Sequence, residues 1–290
     1  MTEAPAALAA AIYSVRPDLI GEPMLLHTEG WDSDAVEAGG AIFKFPKRPE
    51  AIPRLRREAR FLALIGPRVP VAVPAMQLHE TPVLFSEHEK IPGEMIETPQ
   101  YEVLTAAQRD AMAARLAGFY AALHAIPVAE AVAAGAEPNP GWPPAASIMA
   151  LAEAHLPRPV HDFARRVLAA YDALPADDTI FGYYDGHGWN MAFDRTRGVL
   201  NGLYDFADAG LGARHKDFAY SNFISADLSE RLIAAYQRLT GRAIDRRVVA
   251  LHTAVQRLAE LEAEAKELEW FIANVVQWHD HMQGRAELRV

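Results

Sequence analysis

The first ninety residues alternate between strand-like and helical patterns. Residues 40–45 combine apolar and aromatic side chains and stop at Pro46, which predicts a β-strand. Met24–His27 predicts a partner strand, with residues 28–34 as the loop between the two strands. The spacing of apolar residues predicts a helix over residues 50–65. Residues 83–86 predict another strand, and residues 90–93 a turn.

The remainder of the chain is predicted to be mostly helical. A loop rich in glycine and proline is expected over residues 130–144, and short strands are expected at 190–193 and 198–204. Apolar stripes predict helices over residues 106–125, 163–174, 228–239 and 247–282. These patterns predict an α+β fold with two lobes. The predicted N-terminal lobe spans residues 1–90, with a hinge near 86–93, and the predicted helical C-terminal lobe spans residues 94–290.

Composition narrows the choice of partners. The chain has 290 residues, of which 51% are apolar, and a net charge of −10. This charge argues against nucleic acid or an anionic membrane as a partner. The absence of cysteine excludes disulfides and a thiol nucleophile. An acidic residue near the start and the lack of a long apolar run lead us to expect a cytoplasmic protein without a membrane span. The oligomeric state is left open.

The candidate chemistry is concentrated in the stretch GYYDGHGWNMAFD, residues 182–194. It places Asp185 five residues before Asn190, and Asp205 follows in the next apolar segment. Amide and carboxylate oxygens suit Mg²⁺ when phosphates and waters complete the coordination. A nearby carboxylate at Asp185 would orient an attacking hydroxyl for phosphoryl transfer. The alternative is that Asp185 and Asn190 only cap turns.

A lysine and a glutamate strengthen the functional interpretation. Lys44 lies within the predicted strand, and Glu58, fourteen residues later, is the only acid between Glu50 and Glu80. Lysine on a strand and glutamate on the following helix could form an ion pair beside nucleotide phosphates. Alternatively, Lys44 points to solvent and Glu58 pairs with neighbouring arginines on its own helix.

The order of these motifs resembles the protein-kinase-like fold and, in detail, the aminoglycoside phosphotransferase or antibiotic kinase family. The similarity is carried by Tyr183-Tyr184-Asp185, Asn190, Tyr204-Asp205-Phe206 and the later acid Asp217. The segments Glu29–Ser33, Phe43–Lys47, Arg56–Glu58 and Lys90–Gly93 most resemble the aminoglycoside 2″-phosphotransferase branch. The resemblance covers residues 30–280.

The resemblance implies a role for each matching residue. Asp185 would be the catalytic base, Asn190 and Asp205 would hold Mg²⁺, and Lys44 would pair with Glu58 and contact the phosphates of ATP or GTP. Ser33 would bind a phosphate, and the backbone of Ser86, Glu87 and His88 would meet the purine. His187 would contribute directly or brace the loop, and Asp217 would hold the loop in place.

The sequence departs from the family pattern at two positions. The family's histidine two residues before the catalytic acid is Tyr183, and Ala207 replaces the glycine after Asp205-Phe206. A tyrosine at position 183 could fill the space of the histidine and donate a hydrogen bond.

The sequence indicates the acceptor-binding residues less specifically than the catalytic and nucleotide-binding residues. Glutamates on one long helical stretch, with Glu260, Glu264 and Glu267 on one face, could bind amines beside Trp270. We take Glu264, Glu267 and Trp270 as the candidate acceptor site. The alternatives are a solvated acidic face and a Trp270 in the core. The predicted enzyme phosphorylates a hydroxyl of an aminoglycoside-like acceptor; a kinase for a sugar, an amino alcohol or a macrolide, and a nucleotide-binding pseudokinase, remain alternatives.

Overall fold

The structure is a computed structural model that describes residues 2–28, 30–263 and 265–289. Its strands are β1 Thr2–Glu3, β2 Leu25–His27, β3 Ser33–Ala38, β4 Ala41–Pro46, β5 Gln77–His79, β6 Phe85–Glu89, β7 Thr179–Gly182, β8 Met191–Asp194, β9 Val199–Leu203 and β10 Gly210–Ala213. Its helices are α1 Ala6–Val15, α2 Ala51–Ile65, α3 Thr98–Glu102, α4 Ala106–His124, α5 Val128–Ala133, α6 Ala145–His155, α7 Arg158–Asp172, α8 Arg214–Asp217, α9 Ala226–Thr240, α10 Arg246–Ala259 and α11 Ala265–Gly284.

The N-terminal lobe is built on an antiparallel sheet in the order β1-β2-β3-β4-β6-β5. Gly39 and Gly40 join β3 to β4 with φ angles of 54° and 78°, a left-handed conformation that glycine adopts without strain. Side chains alternate between the two faces of β4. Phe43 and Phe45 pack against α1 on one face, and Lys44 therefore lies on the other face, toward α2.

Helix α2 packs against the hydrophobic core of the C-terminal lobe as well as against the N-terminal sheet. Phe61, Leu62 and Ile65 are buried in one cluster with Leu116 and Phe119 of α4. After α2, the backbone of Ala72 exchanges hydrogen bonds with the strand β9 segment at Asn201 and Leu203. The α2 end of the small lobe is thus fixed to the strands that carry the candidate chemistry.

The C-terminal lobe contains two hydrophobic clusters. In the first, α4 and α9 pack beside the two-stranded sheets β8–β9 and β7–β10. In the second, α6, α7, α10 and α11 bury a core that includes Phe163, Leu258 and Trp278. The segment that carries Asp185 and Asn190 lies between β7 and β8, so it is supported on both sides by strands. The α+β fold with two lobes that was predicted from the sequence is confirmed.

Three local predictions were wrong. Strand β3 begins at Ser33, whereas a loop was expected up to residue 34. The strand was not predicted because only two of its residues, Val36 and Ala38, are buried, so its sequence shows little apolar alternation. Helix α6 lies beyond the predicted loop and was missed. The predicted helix 247–282 is interrupted: α10 ends at Ala259, a 3₁₀ turn follows over Glu260–Glu262, and α11 begins at Ala265.

None of the helices in the described ranges combines the length and the apolar character needed to cross a membrane.

Candidate active site

Lys44 and Glu58 form the predicted pair between the sheet and α2. Lys44 Nζ lies 3.1 Å from both carboxylate oxygens of Glu58, which is 3% exposed. Burial lowers the pKa of Lys44, but the charges of Glu58 and Asp205 outweigh this effect and raise it, so Lys44 is a permanent cation. Glu58 also accepts a hydrogen bond from the backbone N–H of Phe206 at 3.1 Å. The pair therefore connects α2 to the segment that follows Asp205.

The loop before Asp185 is held by a fully buried carboxylate. Asp217 accepts hydrogen bonds from the backbone N–H groups of Tyr183 at 2.9 Å and Tyr184 at 2.7 Å, and it lies 3.0 Å from His124. Tyr184 has a φ of 56°, an uncommon conformation for a bulky residue. The two hydrogen bonds to Asp217 hold this strained turn and aim Asp185 out of the core.

Both carboxylate oxygens of Asp185 are engaged. Oδ1 lies 2.9 Å from His187 Nε2, and Oδ2 accepts a 2.6 Å hydrogen bond from the side-chain amide of Asn190. Burial lowers the pKa of His187, but the hydrogen bond to Asp185 and its charge raise it overall. A side chain at Gly188 would place its Cβ 1.6 Å from the carbonyl oxygen of Ile96. A glycine is therefore required where the loop folds against this carbonyl.

Asn190 and Asp205 fit the ligand set of a Mg²⁺ ion. The amide nitrogen of Asn190 is fixed on Asp185, which leaves its oxygen to act as a ligand. Asp205 has a φ of 54°, and its half-exposed carboxylate lies 3.8 Å from Lys44 Nζ. Within the described ranges, no three His, Cys, Asp or Glu side chains converge to enclose a metal by themselves. A metal at Asn190 and Asp205 would therefore need further oxygens, such as those of a bound phosphate.

Ser33 stands at the start of β3, directly after the loop of residues 28–32. Lys47 donates hydrogen bonds to the carbonyls of Thr28 and Gly30, both at 2.6 Å, and Arg48 pairs with Asp32 at 2.8 Å. These contacts hold the described part of the loop against the residues that follow β4. The phosphate-binding role of Ser33 stays a prediction.

The predicted purine contact at residues 86–88 lies within β6 and stays a prediction. Ser86 and Glu87 are paired with β4 on one side and β5 on the other, so their backbone groups are used by the sheet. The Glu87 side chain lies on the opposite face from Lys44 and bonds to Arg16 and His79. His88 is the first of the three that lies beyond the pairing with β5.

Tyr204 joins the predicted hinge to the segment that carries Asp205. Its hydroxyl accepts a hydrogen bond from Ile91 N–H at 2.6 Å and donates one to Ile91 C=O at 3.0 Å. The ring of Tyr204 lies 5.9 Å from the ring of His88. The residue preceding Asp205 is therefore anchored directly to the hinge, which no motif in the sequence indicated.

A cavity of about 590 Å³ opens beside Asp185 and His187. Eight aromatic side chains from the described residues line it, and they include four of the chain's five tryptophans, Trp31, Trp142, Trp189 and Trp270. Asp208, Glu260, Glu262 and Glu267 contribute carboxylates to the same walls. The cavity is large enough for a small organic molecule and places it against the Asp185 carboxylate.

The predicted acceptor residues are brought together in part. Glu267 and Trp270 line the cavity, and Trp270 is 44% exposed and lies outside the core; Trp278 is buried. Glu264 lies outside the described residues. Glu260 and Glu267 also line the cavity, but they stand on different elements and do not share a helical face. Four further residues of the cavity wall were not predicted from the sequence, because they come from separate segments without a common motif: Trp31, Trp142, Lys216 and Gln256.

Fold and site together define a kinase-like phosphotransferase. Lys44 lies beside Glu58 and Asp205. Asp185 is bonded to Asn190, whose backbone carbonyl oxygen accepts a hydrogen bond from the N–H of Tyr204, next to Asp205. The chain belongs to the phosphotransferase enzyme family, whose model matches residues 25–252.

Solved structures share the fold at low sequence identity. The GDP complex of wild-type aminoglycoside 2′-phosphotransferase-IIIa is 21% identical, with a TM-score of 0.75 over 95% of this chain and 97% of that one. Macrolide 2′-phosphotransferase type I is 21% identical, with a TM-score of 0.69 over 95% and 99%. The streptomycin–ATP–APH(2″)-IIa ternary complex is 20% identical, with a TM-score of 0.65 over 96% and 97%. A comparison with curated proteins found no match in sequence.

Proposed function

We propose that the protein transfers the γ-phosphoryl group of ATP or GTP to a hydroxyl of a small, amine-bearing acceptor of aminoglycoside-like size. The observation that carries this proposal is the position of Asp185, which lies at the wall of the large cavity and is hydrogen-bonded to the candidate metal ligand Asn190. Donor and acceptor would therefore meet at one carboxylate. Structures that share the fold are described with GDP or ATP and with an aminoglycoside bound.

The donor would occupy the cleft beside Lys44. The Lys44 cation, which is fixed by Glu58, would neutralise phosphate charge. Ser33 would contact a phosphate from the same face of the sheet, because its cross-strand partner Pro46 lies two residues after Lys44 on β4. The base would approach the hinge at His88–Ile91. The nucleotide would then be oriented between the hinge and the phosphate-binding residues, which is the main requirement of phosphoryl transfer.

Asn190 and Asp205 would hold Mg²⁺. When bound, this ion would neutralise the phosphate oxygens during transfer. Asp205→Ala should abolish the Mg²⁺-dependent part of nucleotide binding, measured by calorimetry with and without the ion. Metal-dependent binding that survives in this variant would contradict the assignment of Asp205.

Asp185 would accept a hydrogen bond from the acceptor hydroxyl and receive its proton as the new P–O bond forms. His187 and Asn190 hold the carboxylate from both sides, which orients it for this contact. The carboxylates of Glu260 and Glu267 would attract the amine of the acceptor, and Trp270 would cover it.

A macrolide is a second candidate acceptor, and the aromatic lining favours it. Eight aromatic rings among the described residues form an apolar surface that suits a large, mainly apolar ring with a single amine.

The test is release of nucleoside diphosphate by the purified protein with Mg²⁺ and either ATP or GTP. The panel contains aminoglycosides, macrolides, amino alcohols and simple sugars. Release that depends on an amine-bearing acceptor supports the proposal. Nucleotide binding without any acceptor-dependent release would contradict it and favour a pseudokinase.

A further inference from the structure

Lys216 is a buried cation in the wall of the acceptor cavity. It lies on α8 and is 8% exposed. Its Nζ donates hydrogen bonds to Asn139 Oδ1 at 2.5 Å and to the carbonyl oxygen of Pro140 at 3.1 Å. The same nitrogen lies 4.3 Å from the ring centroid of Trp142 and 5.6 Å from that of Tyr184. Lys216 is the one lysine or arginine among the described residues that line the cavity.

The charge of Lys216 is not balanced by a carboxylate within salt-bridge distance in the part of the chain that the structure describes. The neighbouring Asp217 is committed to the N–H groups of Tyr183 and Tyr184, and Asp208 is paired with Arg54 at 3.0 Å. Burial lowers the pKa of Lys216 to about 8, so the amine is still mostly protonated at neutral pH.

A buried charge is normally paired, because neutral oxygens and an aromatic face replace only part of its hydration. Lys216 Nζ has three N–H groups, and two protein oxygens account for two of them. Among the described residues, the third N–H group has no oxygen partner, and Asp217 and Asp208 act on the charge only from beyond salt-bridge distance. Lys216 therefore presents a cation without a directly bonded counter-ion at the wall of the cavity. An oxyanion on a bound ligand would complete the site.

The side of the cavity that carries glutamates has unpaired hydrogen-bond acceptors instead of a cation. Glu260 and Gln256 each carry a buried side-chain oxygen, Oε2 and Oε1 respectively, that has no hydrogen-bond partner. The oxygen of Gln256 is an acceptor, and that of Glu260 is an acceptor when the carboxyl is ionised, so both then call for an N–H or O–H donor. Glu260 lies in the turn after α10, whereas Lys216 lies on α8 and binds residues 139–140. The cavity is therefore supplied with a cation and with unpaired acceptors from separate segments.

We propose that the acceptor carries two opposite ends: an amine that donates to Glu260 and Gln256, and a carboxylate or another oxyanion that binds Lys216. This inference rests on the proposed function, since it concerns the molecule that presents its hydroxyl to Asp185. It distinguishes the site from one built for a polycation, because a polycation would offer Lys216 no directly bonded counter-ion and would add repulsion to its charge.

The test is direct binding of matched aromatic fragments to the full-length protein without nucleotide, measured by calorimetry. Indole-3-acetate and indole-3-acetamide have the same shape and differ in charge; tryptamine and indole-3-ethanol form the corresponding pair for a cation. We expect the wild-type protein to prefer the anion over the amide and the cation over the alcohol, each by about tenfold, the value of one hydrogen bond to a charged group.

Variants separate the two ends. Lys216→Met should remove the preference for the anion and keep the preference for the cation, whereas Lys216→Arg should keep both. Glu260→Gln should remove the preference for the cation and keep the preference for the anion. Arg238→Met removes an exposed cation on α9 and controls for the change in net charge. No anion preference in the wild-type protein, or the same preference in Lys216→Met, would overturn the proposal. Because nothing is turned over, this result is independent of whether phosphoryl transfer is observed.

Discussion

The hydroxyl of Tyr183 donates a hydrogen bond to the carbonyl oxygen of Tyr204 and so ties the catalytic loop to the segment that carries Asp205. The Tyr183 ring is fully buried, with ring centroids of Phe206 at 4.7 Å and Phe119 at 5.7 Å. At the position where the related family has a histidine, the tyrosine thus fills the space and supplies a donor. This contact removes the main structural reason for regarding the chain as a pseudokinase.

Tyr183→Phe keeps the ring and removes this donor. We expect the free energy of unfolding to fall by about 1–2 kcal/mol, because the buried carbonyl of Tyr204 loses its partner. Mg²⁺-dependent nucleotide affinity should fall as well, since Asp205 follows directly. Urea denaturation and calorimetry measure the two effects.

Tyr101→Phe is the matched control, because the hydroxyl of Tyr101 binds Asp227, which does not line the acceptor cavity. It should lower stability without changing nucleotide affinity. A Tyr183→Phe protein with unchanged nucleotide affinity would contradict the connection to Asp205.

The motif-bearing part of the site could be predicted from the sequence, and the reason is physical. Lys44, Asp185 and Asn190 lie in short segments whose strand or loop conformation is determined by local residues. The order of these segments along the chain therefore indicated that the three side chains belong to one site. The pairing of Lys44 with Glu58 follows from the strand-to-helix geometry that this order implies.

The acceptor cavity could not be predicted in the same way. Trp31, Trp142 and Lys216 come from distant segments, and only tertiary packing brings them to one cavity. The break after Ala259 also escaped prediction, because the glutamates that follow have high helix propensity and tertiary packing overrides it.

Glu58→Gln should destabilise the protein by about 3 kcal/mol, because it leaves Lys44 charged and largely buried without its partner. Nucleotide affinity should fall with it, since Lys44 would no longer be held in place. Equilibrium unfolding in urea and calorimetric titration with nucleotide test both expectations. Glu80→Gln, which breaks the exposed pair with Arg56, is the control and should cost less than about 1 kcal/mol. Equal losses in the two variants would refute the special role of the Lys44–Glu58 pair.

Glu260 should make stability depend on pH. Burial raises its pKa from 4.5 to about 7, so the folded state holds the proton more tightly than the unfolded chain. The resulting stability is fully present below about pH 4.5 and is lost as pH rises through about 7. The free energy of unfolding of wild type, relative to Glu260→Gln, should therefore decrease over this range and level off above it. Glu262→Gln, on the same turn but exposed, provides the control. A flat difference between wild type and Glu260→Gln would show that the buried carboxyl does not titrate in this way.

The most direct test of the central claim is the rate of γ-phosphoryl transfer by Asp185→Asn, measured with an acceptor that the wild-type protein phosphorylates. The substitution preserves shape, so folding and nucleotide binding should stay nearly intact. Turnover should fall by roughly 10²–10⁴-fold if the carboxylate orients and deprotonates the acceptor hydroxyl. Asp194→Asn, at the end of β8, should retain activity. An Asp185→Asn protein that turns over at the wild-type rate would contradict the assignment of Asp185 and, with it, the proposed active site.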